Sequence, residues 1–330
     1  MEFDYTLDKA DMRSVLLNFH EQIDVAKKLT ENISADGSFD HIFVFGMGGS
    51  ALPGNLLKCY MNDSKIPVSV FKNYNIPKYV NDKSLVFVIS YSGNTEETIN
   101  AYREVMKTGA EIMTISSGGK LKEIAKMNND IHLTVPKNIE PRQAIGYQFF
   151  PILFILENSG IIESTAKDVE NTKSVLKKEL YEKKSQEIAV KLQHKIPIIY
   201  SSDSMSIVAE KWKITLNENA KTPAFYNTFP ELNHNEMNGY LNIFGDYYVI
   251  IIKDEDDNPR IKKRMDITKD LIKSKGIEVM ELVIKGDSKL TKIFSSIHLS
   301  DWVAYHLALL YEIDPTPVDM VEDFKKKLNE

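Results

Sequence analysis

Two hydrophobic rhythms alternate along the first half of the chain. Residues 4–33 place Met12, Val15, Leu16, Phe19, Ile23 and Ala26 at helical spacing and predict an opening in helix. Short, unbroken apolar runs follow at His41–Phe45, Val68–Phe71, Leu85–Ser90 and Glu111–Ser116, with His132–Val135 as a fifth candidate. Runs of this length, rich in Val, Ile and Phe, predict parallel strands covered on both faces. Helical stretches separate them, one from about Glu96 to Lys107, and Gln143–Asn158 predicts a strongly apolar helix ending near Gly160. Strand–helix alternation at this spacing means βαβ units and the α/β class.

The texture then changes. Glu163–Lys191 is rich in Lys, Glu, Ser and Thr with scattered Val, Ile and Leu, which reads as an amphipathic helical connector. Beyond it the first plan repeats: Ile196–Tyr200 answers Ile42–Phe45, Tyr247–Lys253 answers Leu85–Ser90, and Glu278–Ile284 answers Glu111–Ser116. The run from Trp302 to Tyr311 likewise answers that from Tyr147 to Leu156. The expectation is two doubly wound αβα modules, residues 1–160 and 196–330, each with a parallel five-stranded sheet, joined by a helical connector at 161–195.

Composition narrows the partners. Hydrophobic residues make up 43% and charged residues 27% of the 330, ordinary for a globular soluble protein. A net charge of −6, with basic clusters only at Lys262–Arg264 and Lys325–Lys327, argues against a nucleic-acid surface. The longest apolar run, Phe149–Leu156, contains Pro151 and is far short of a membrane span. The N-terminus has no basic or apolar leader pattern, and the single Cys59 rules out an internal disulfide, so a cytoplasmic location is expected.

The chemistry concentrates in the turn after Leu85–Ile89. Ser90, Ser92 and Thr95 surround Gly93, just where a helix opens, and backbone N–H groups at such an N-terminus form a ready anion site. A plain capping box, with Asn94 as N-cap and Glu97 at N3, explains part of the pattern. Three hydroxyls within six residues exceed what a cap needs and favour phosphate. The other glycine turn, Gly46–Ala51, fits G-x-G-x-x-A, but Phe71, Lys72 and Asn73 stand where a dinucleotide site wants an acidic residue. A nicotinamide cofactor therefore ranks low. Gly48, Gly49 and Ser50 instead sit beside the serine turn at neighbouring strand ends, where both turns can share one phosphate. At the corresponding place the second module has Asp254, Glu255, Asp256 and Asp257, which would repel an anion.

Three further residues invite a role. Arg142, before the long apolar helix, is either a solvated surface charge or a cation aimed at the sheet's ligand crevice. Glu218, flanked by Asn217 and Asn219, closes a helix at the end where the macrodipole disfavours an acid. His234 has no second His or Cys at zinc-ligand spacing, so no metal is expected, and it is either structural or an acid–base group near neutrality.

Taken together, Gly46–Ser50, Ser90–Thr98, Pro141–Arg142, Asn217–Asn219 and Asn233–Glu236 resemble the bifunctional phosphoglucose/phosphomannose isomerases of the sugar isomerase (SIS) superfamily. The resemblance covers almost the whole chain. It implies SIS-type, flavodoxin-like modules, a homodimer, no cofactor or metal, and isomerisation of glucose 6-phosphate and mannose 6-phosphate to fructose 6-phosphate through a cis-enediolate. By motif, it implies that Gly48, Gly49, Ser50, Ser90, Ser92 and Thr95 hold the phosphate and that Arg142 stabilises the enediolate. Glu218 would be the base, His234 from the neighbouring subunit would help open the ring, and Lys325 in the C-terminal helix would share that work. The competing readings are a non-catalytic sugar-phosphate sensor, which would not need the Arg142, Glu218 and His234 set, and an isomerase of another phosphosugar.

Overall fold

The computed structural model describes residues 3–177 and 180–328, which cluster into two compact units. Residues 18–173 form one unit; residues 1–17 and 174–330 form the other.

In the first of these, helix α2 (Glu21–Thr30) follows α1 (Met12–Leu17), which belongs to the other unit. The sheet strands are β1 (His41–Phe45), β2 (Val68–Phe71), β3 (Ser84–Ile89), β4 (Glu111–Ser116) and β5 (Ile131–Thr134), all parallel in the order β2-β1-β3-β4-β5. The connecting helices are α3 (Leu52–Tyr60), α4 (Glu96–Val105) and α5 (Gly119–Asn128), followed by α6 (Ile145–Asn158). Alternate residues divide the faces: Phe43, Phe45, Val86 and Val88 pack with Tyr102, Val105 and Leu121 of α4 and α5. Val44 faces the other way, against Gly54 of α3, where an added Cβ would come within 2.8 Å. Eleven of the fourteen residues of α6 are buried, including Pro151, which is why its pattern reads as continuously apolar.

The region expected as a connector is two helices, α7 (Ala166–Leu176) and α8 (Leu180–Leu192), and the division between units falls inside α7 rather than at its start. The first 17 residues also leave the first module. Met12 and Leu16 are buried against Trp302, Tyr305 and Leu309, so this helical opening serves the second core.

The second sheet holds β6 (Ile196–Ser202), β7 (Phe225–Phe229), β8 (Tyr247–Asp254) and β9 (Glu278–Ile284), all parallel in the order β7-β6-β8-β9. Its helices are α9 (Ser206–Glu218), α10 (Pro259–Lys273), α11 (Lys289–Leu310) and α12 (Asp319–Leu328). The expectation of five strands here is corrected to four. The chain passes from β9 straight into the 22-residue α11, the counterpart of α6, and omits the α5–β5 step of the first module. Inside α11, Asp301 accepts from Lys211 of α9 at 2.6 Å and from the Thr215 hydroxyl at 3.2 Å, all three buried.

Candidate functional site

The strand order reverses direction between β1 and β3, and in open parallel sheets ligands bind at such a switch point, beyond the carboxyl ends of the strands. The two turns singled out from sequence flank it. After β1, Gly48 takes a φ of +51° and opens a 3₁₀ turn through Ser50. Gly49 lies against the backbone of Pro141 and Arg142, where a Cβ would come within 3.2 Å of both. Ser50 is buried, and its Oγ accepts the Tyr91 N–H at 3.0 Å. That bond ties the first turn to the second and uses an oxygen lone pair, leaving the hydroxyl proton to point elsewhere.

In the second turn the three hydroxyls differ in standing. Ser90 is fully buried, accepts from Gly93 N at 3.2 Å and Thr95 N at 3.4 Å, and donates to the Thr95 hydroxyl at 2.9 Å. Its donor and acceptor capacity is spent on the turn itself. Ser92 is exposed and accepts the Asn94 N–H at 3.2 Å. Thr95, half-buried, receives the Ser90 proton and keeps its own.

The capping box is corrected. Thr95, not Asn94, is the N-cap of α4, and its side chain makes no capping bond. Asn94 instead turns to the neighbouring turn and accepts the Lys120 N–H at 3.1 Å, at the start of α5. The opening of α4 therefore lacks a side-chain cap, the condition under which helix N–H groups are available to an anion. Gly93, at φ +73°, packs so closely on this neighbour that a Cβ would sit 1.8 Å from the Gly118 carbonyl oxygen.

Arg142 is a buried residue rather than a solvated charge, 3% exposed. Its Nη1 donates to Glu140 at 2.9 Å, and Gln148 holds the preceding Pro141 carbonyl at 3.3 Å. Behind it, buried Gln22 of α2 donates to the Gln143 carbonyl at 2.8 Å and accepts the Tyr147 N–H at 3.2 Å. Gly146 leaves the room for Gln22. So a side chain distant in sequence satisfies the start of α6 and fixes the loop that carries Arg142. Tyr91 closes the site: its hydroxyl donates to the Pro136 carbonyl at 2.9 Å, and burial pushes it up to about 12, so it stays a neutral donor. Sequence reasoning passed over Gln22 and Tyr91, the first because nothing local marks it and the second because it sits unremarked inside the serine motif.

In the other unit, Glu218 ends α9, half-buried. The unfavourable acid at this terminus is answered by Lys221, which also escaped notice in the sequence. Its ammonium donates to the carbonyls of Glu218 at 2.8 Å, Asn219 at 3.2 Å and Pro315 at 3.0 Å. His234 is exposed, after a 3₁₀ turn at Glu231–Asn233. Glu236 anchors its segment, accepting from Tyr200 at 2.5 Å and from Asn227.

The fold keeps Glu218 and His234 apart. Helix α9 runs back from the carboxyl end of β6 to the amino end of β7, about 20 Å for its 13 residues. His234 lies past the carboxyl end of β7, at the opposite end of that strand. Lys325 is exposed on α12 and paired with Glu322 at 2.7 Å. In the second module's equivalent of the serine turn, buried Lys292 pairs with Asp254 at 2.6 Å and with Asp256 at 2.5 Å, and Asp257 accepts the Asp254 N–H at 3.0 Å. Carboxylates there occupy the backbone donors. Among the described residues, no group of three or more His, Cys, Asp and Glu could hold a metal ion, and no helix is long and apolar enough to cross a membrane.

This pair of parallel αβα modules, with a hydroxyl-lined turn at the switch point of the first, defines an SIS-domain protein. The SIS domain model matches residues 38–158, and the bacterial phospho-glucose isomerase C-terminal SIS domain model matches residues 181–328. A bifunctional phosphoglucose/phosphomannose isomerase of Caldicellulosiruptor bescii is 42% identical over 95% of this chain and 97% of its own. One of Aquifex aeolicus is 35% identical over 96% and 98%. A D-glucosamine-6-phosphate 4-epimerase of Sulfolobus acidocaldarius is 34% identical over 68% and 72%. The fold also matches a solved structure, a hypothetical protein of Thermus thermophilus, with a TM-score of 0.78 at 16% identity over 94% of this chain and 89% of that one. The chain belongs to the bifunctional phosphoglucose/phosphomannose isomerase family, a family of aldose–ketose isomerases.

Proposed function

We propose that this protein interconverts glucose 6-phosphate, mannose 6-phosphate and fructose 6-phosphate through a shared cis-enediolate, without a metal or cofactor, as a cytoplasmic homodimer. The observation that carries the reading is the uncapped start of α4 beside three hydroxyls and the buried Arg142 loop, in a chain of this family.

In this reading Ser50, Ser92 and Thr95 donate to the phosphate, Gly48 and Gly49 let it approach backbone, and Ser90 holds the turn in shape. The phosphate is remote from the reacting carbons, so its binding energy goes into orientation. Glu218 moves the proton between C1 and C2, and the always-charged Arg142 stabilises the enediolate oxygen. Glucose and mannose 6-phosphates differ only at C2, so one enediolate serves both. His234 opens the sugar ring with help from Lys325. The opposite placement of Glu218 and His234 on the sheet supports its donation by a neighbouring subunit.

The relative named as a 4-epimerase supports a second reading, chemistry at another carbon of an aminosugar phosphate. The test is conversion of both aldose 6-phosphates to fructose 6-phosphate by the wild type and Glu218→Gln. We expect both to be converted, and the variant to bind substrate while losing most turnover. Full activity in Glu218→Gln would remove it as the base, and no conversion of either aldose would favour the epimerase or sensor reading.

A further inference from the structure

We propose that the cleft between α10 and the Asn233–Met237 segment is an anion site that takes the phosphoryl group of a small molecule. The cleft is about 330 Å³ and is lined by Asn233, Met237, Arg260, Lys263, Arg264 and Thr268, together with Ile267. Residues 260, 263, 264 and 267 recur at i, i+3, i+4 and i+7, so one stripe of α10 turns its cations to one side. No acidic residue lines the cleft, and none of the three cations makes an ion pair among the described residues. Of the carboxylates nearby in sequence, Asp266 pairs with Lys253, Glu231 accepts from Asn235, and Glu236 accepts from Tyr200 and Asn227.

Three positive charges without an acid partner among the described residues, in a chain of net charge −6, contrast with Lys269 on the same helix, which pairs with Glu281 of β9. The polar floor is built rather than incidental. Thr268, 1% exposed, accepts from Asn233 Nδ2 at 2.8 Å, and Asn233 Oδ1 accepts from Arg264 Nη1 at 3.3 Å. This fixes the Arg264 guanidinium by one edge and leaves its remaining N–H groups for a ligand. Two guanidiniums and an ammonium suit a dianion, which planar Arg forks bind in bidentate fashion. The size of the cleft and its restriction to one helical stripe favour a small phosphate over an extended polyanion. The cleft shares no residue with the serine turn, but its Asn233–Met237 wall carries His234 of the proposed isomerase site, so the titration below is repeated in Ser92→Ala, where a shift owed to the cleft persists and one relayed from the isomerase site weakens.

Met237 lines the cleft, so its methyl group reports locally. The full-length protein is labelled with methyl-¹³C methionine, and the Met237 resonance is assigned with Met237→Leu. The chain is then titrated with inorganic phosphate and, separately, with glucitol 6-phosphate, which has no carbonyl to isomerise, at constant ionic strength. We expect a saturable shift, and an apparent affinity weakened by about tenfold or more in Arg260→Ser/Lys263→Ser/Arg264→Ser. If that variant does not fold, the single exposed change Lys263→Glu is expected to weaken binding in the same direction. Tighter binding of the free ion names inorganic phosphate as occupant, tighter binding of the sugar ester names a phosphomonoester, and either supports the site. A shift that follows salt alone, or unchanged affinity in the variants, overturns it.

Discussion

Replacing Ser90 and Ser92 separately should divide folding from binding within a single turn. Ser90 makes three hydrogen bonds inside the turn, to Gly93 N, Thr95 N and the Thr95 hydroxyl, and is fully buried. Gly93 N keeps a second acceptor in the Ser90 carbonyl at 2.9 Å, whereas Thr95 N has only the side chain. Ser90→Ala therefore strands one half-buried donor and removes one hydroxyl contact, for a cost of about 2 kcal/mol. In a unit of this size that lowers the melting temperature by roughly 4–8 °C. Ser92 is exposed and bonds only Asn94 N within the turn, so Ser92→Ala should change stability by less than about 0.5 kcal/mol. Its effect belongs to the phosphate: losing one hydrogen bond to a charged group, about 1.5–3 kcal/mol, should lower kcat/KM by roughly 10–100-fold, mostly through KM. Thermal melting and steady-state kinetics on glucose 6-phosphate read the two effects. Equal destabilisation by both changes, or an unchanged KM in Ser92→Ala, would refute this division of labour.

Acid should loosen both units. Burial holds His132 and His306 at about 4, against an ordinary 6.5, so each stays neutral in the folded protein. As pH falls from 6.5 towards 4 the unfolded chain gains protons that the folded chain refuses, and stability drops by up to about 1.4 kcal/mol per pH unit for each group. Urea midpoints at pH 7, 5.5 and 4.5 should fall in that window, and His132→Asn should flatten the slope; a flat wild-type profile would contradict the burial argument. Donation of His234 across a dimer is read by complementation. Glu218→Gln and His234→Ala, each inactive alone, should recover about a quarter of wild-type activity when unfolded together and refolded as a mixture, because half the dimers then hold one intact site. No recovery would place both residues in one chain's site.

Much of the first module was legible because buried parallel strands leave runs such as Leu85–Ile89 that periodicity alone can find, and their turns carry the glycines and hydroxyls. The second module misled on strand number because repetition of a pattern does not require repetition of every step, and α11 replaces a helix, a strand and a helix with one long element. The role of Asn94 was misjudged for a related reason. A capping motif is local, but Asn94 caps α5, a helix whose approach to this turn depends on Gly93 packing against Gly118. Gln22 and Lys221 act through contacts with segments about 120 and 90 residues away, to which a pass along the chain is blind. What motif spacing did convey was which residues sit at strand ends, where open α/β sheets bind their ligands.

The central claim is proton transfer at C2 of a phosphosugar, and deuterium exchange tests it most directly. The protein is incubated in D₂O with glucose 6-phosphate and, separately, with mannose 6-phosphate, and each recovered aldose is examined by NMR. The account predicts deuterium at C2 in both, and its loss in Glu218→Gln. Absence of exchange at C2 with either sugar in the wild type would contradict it.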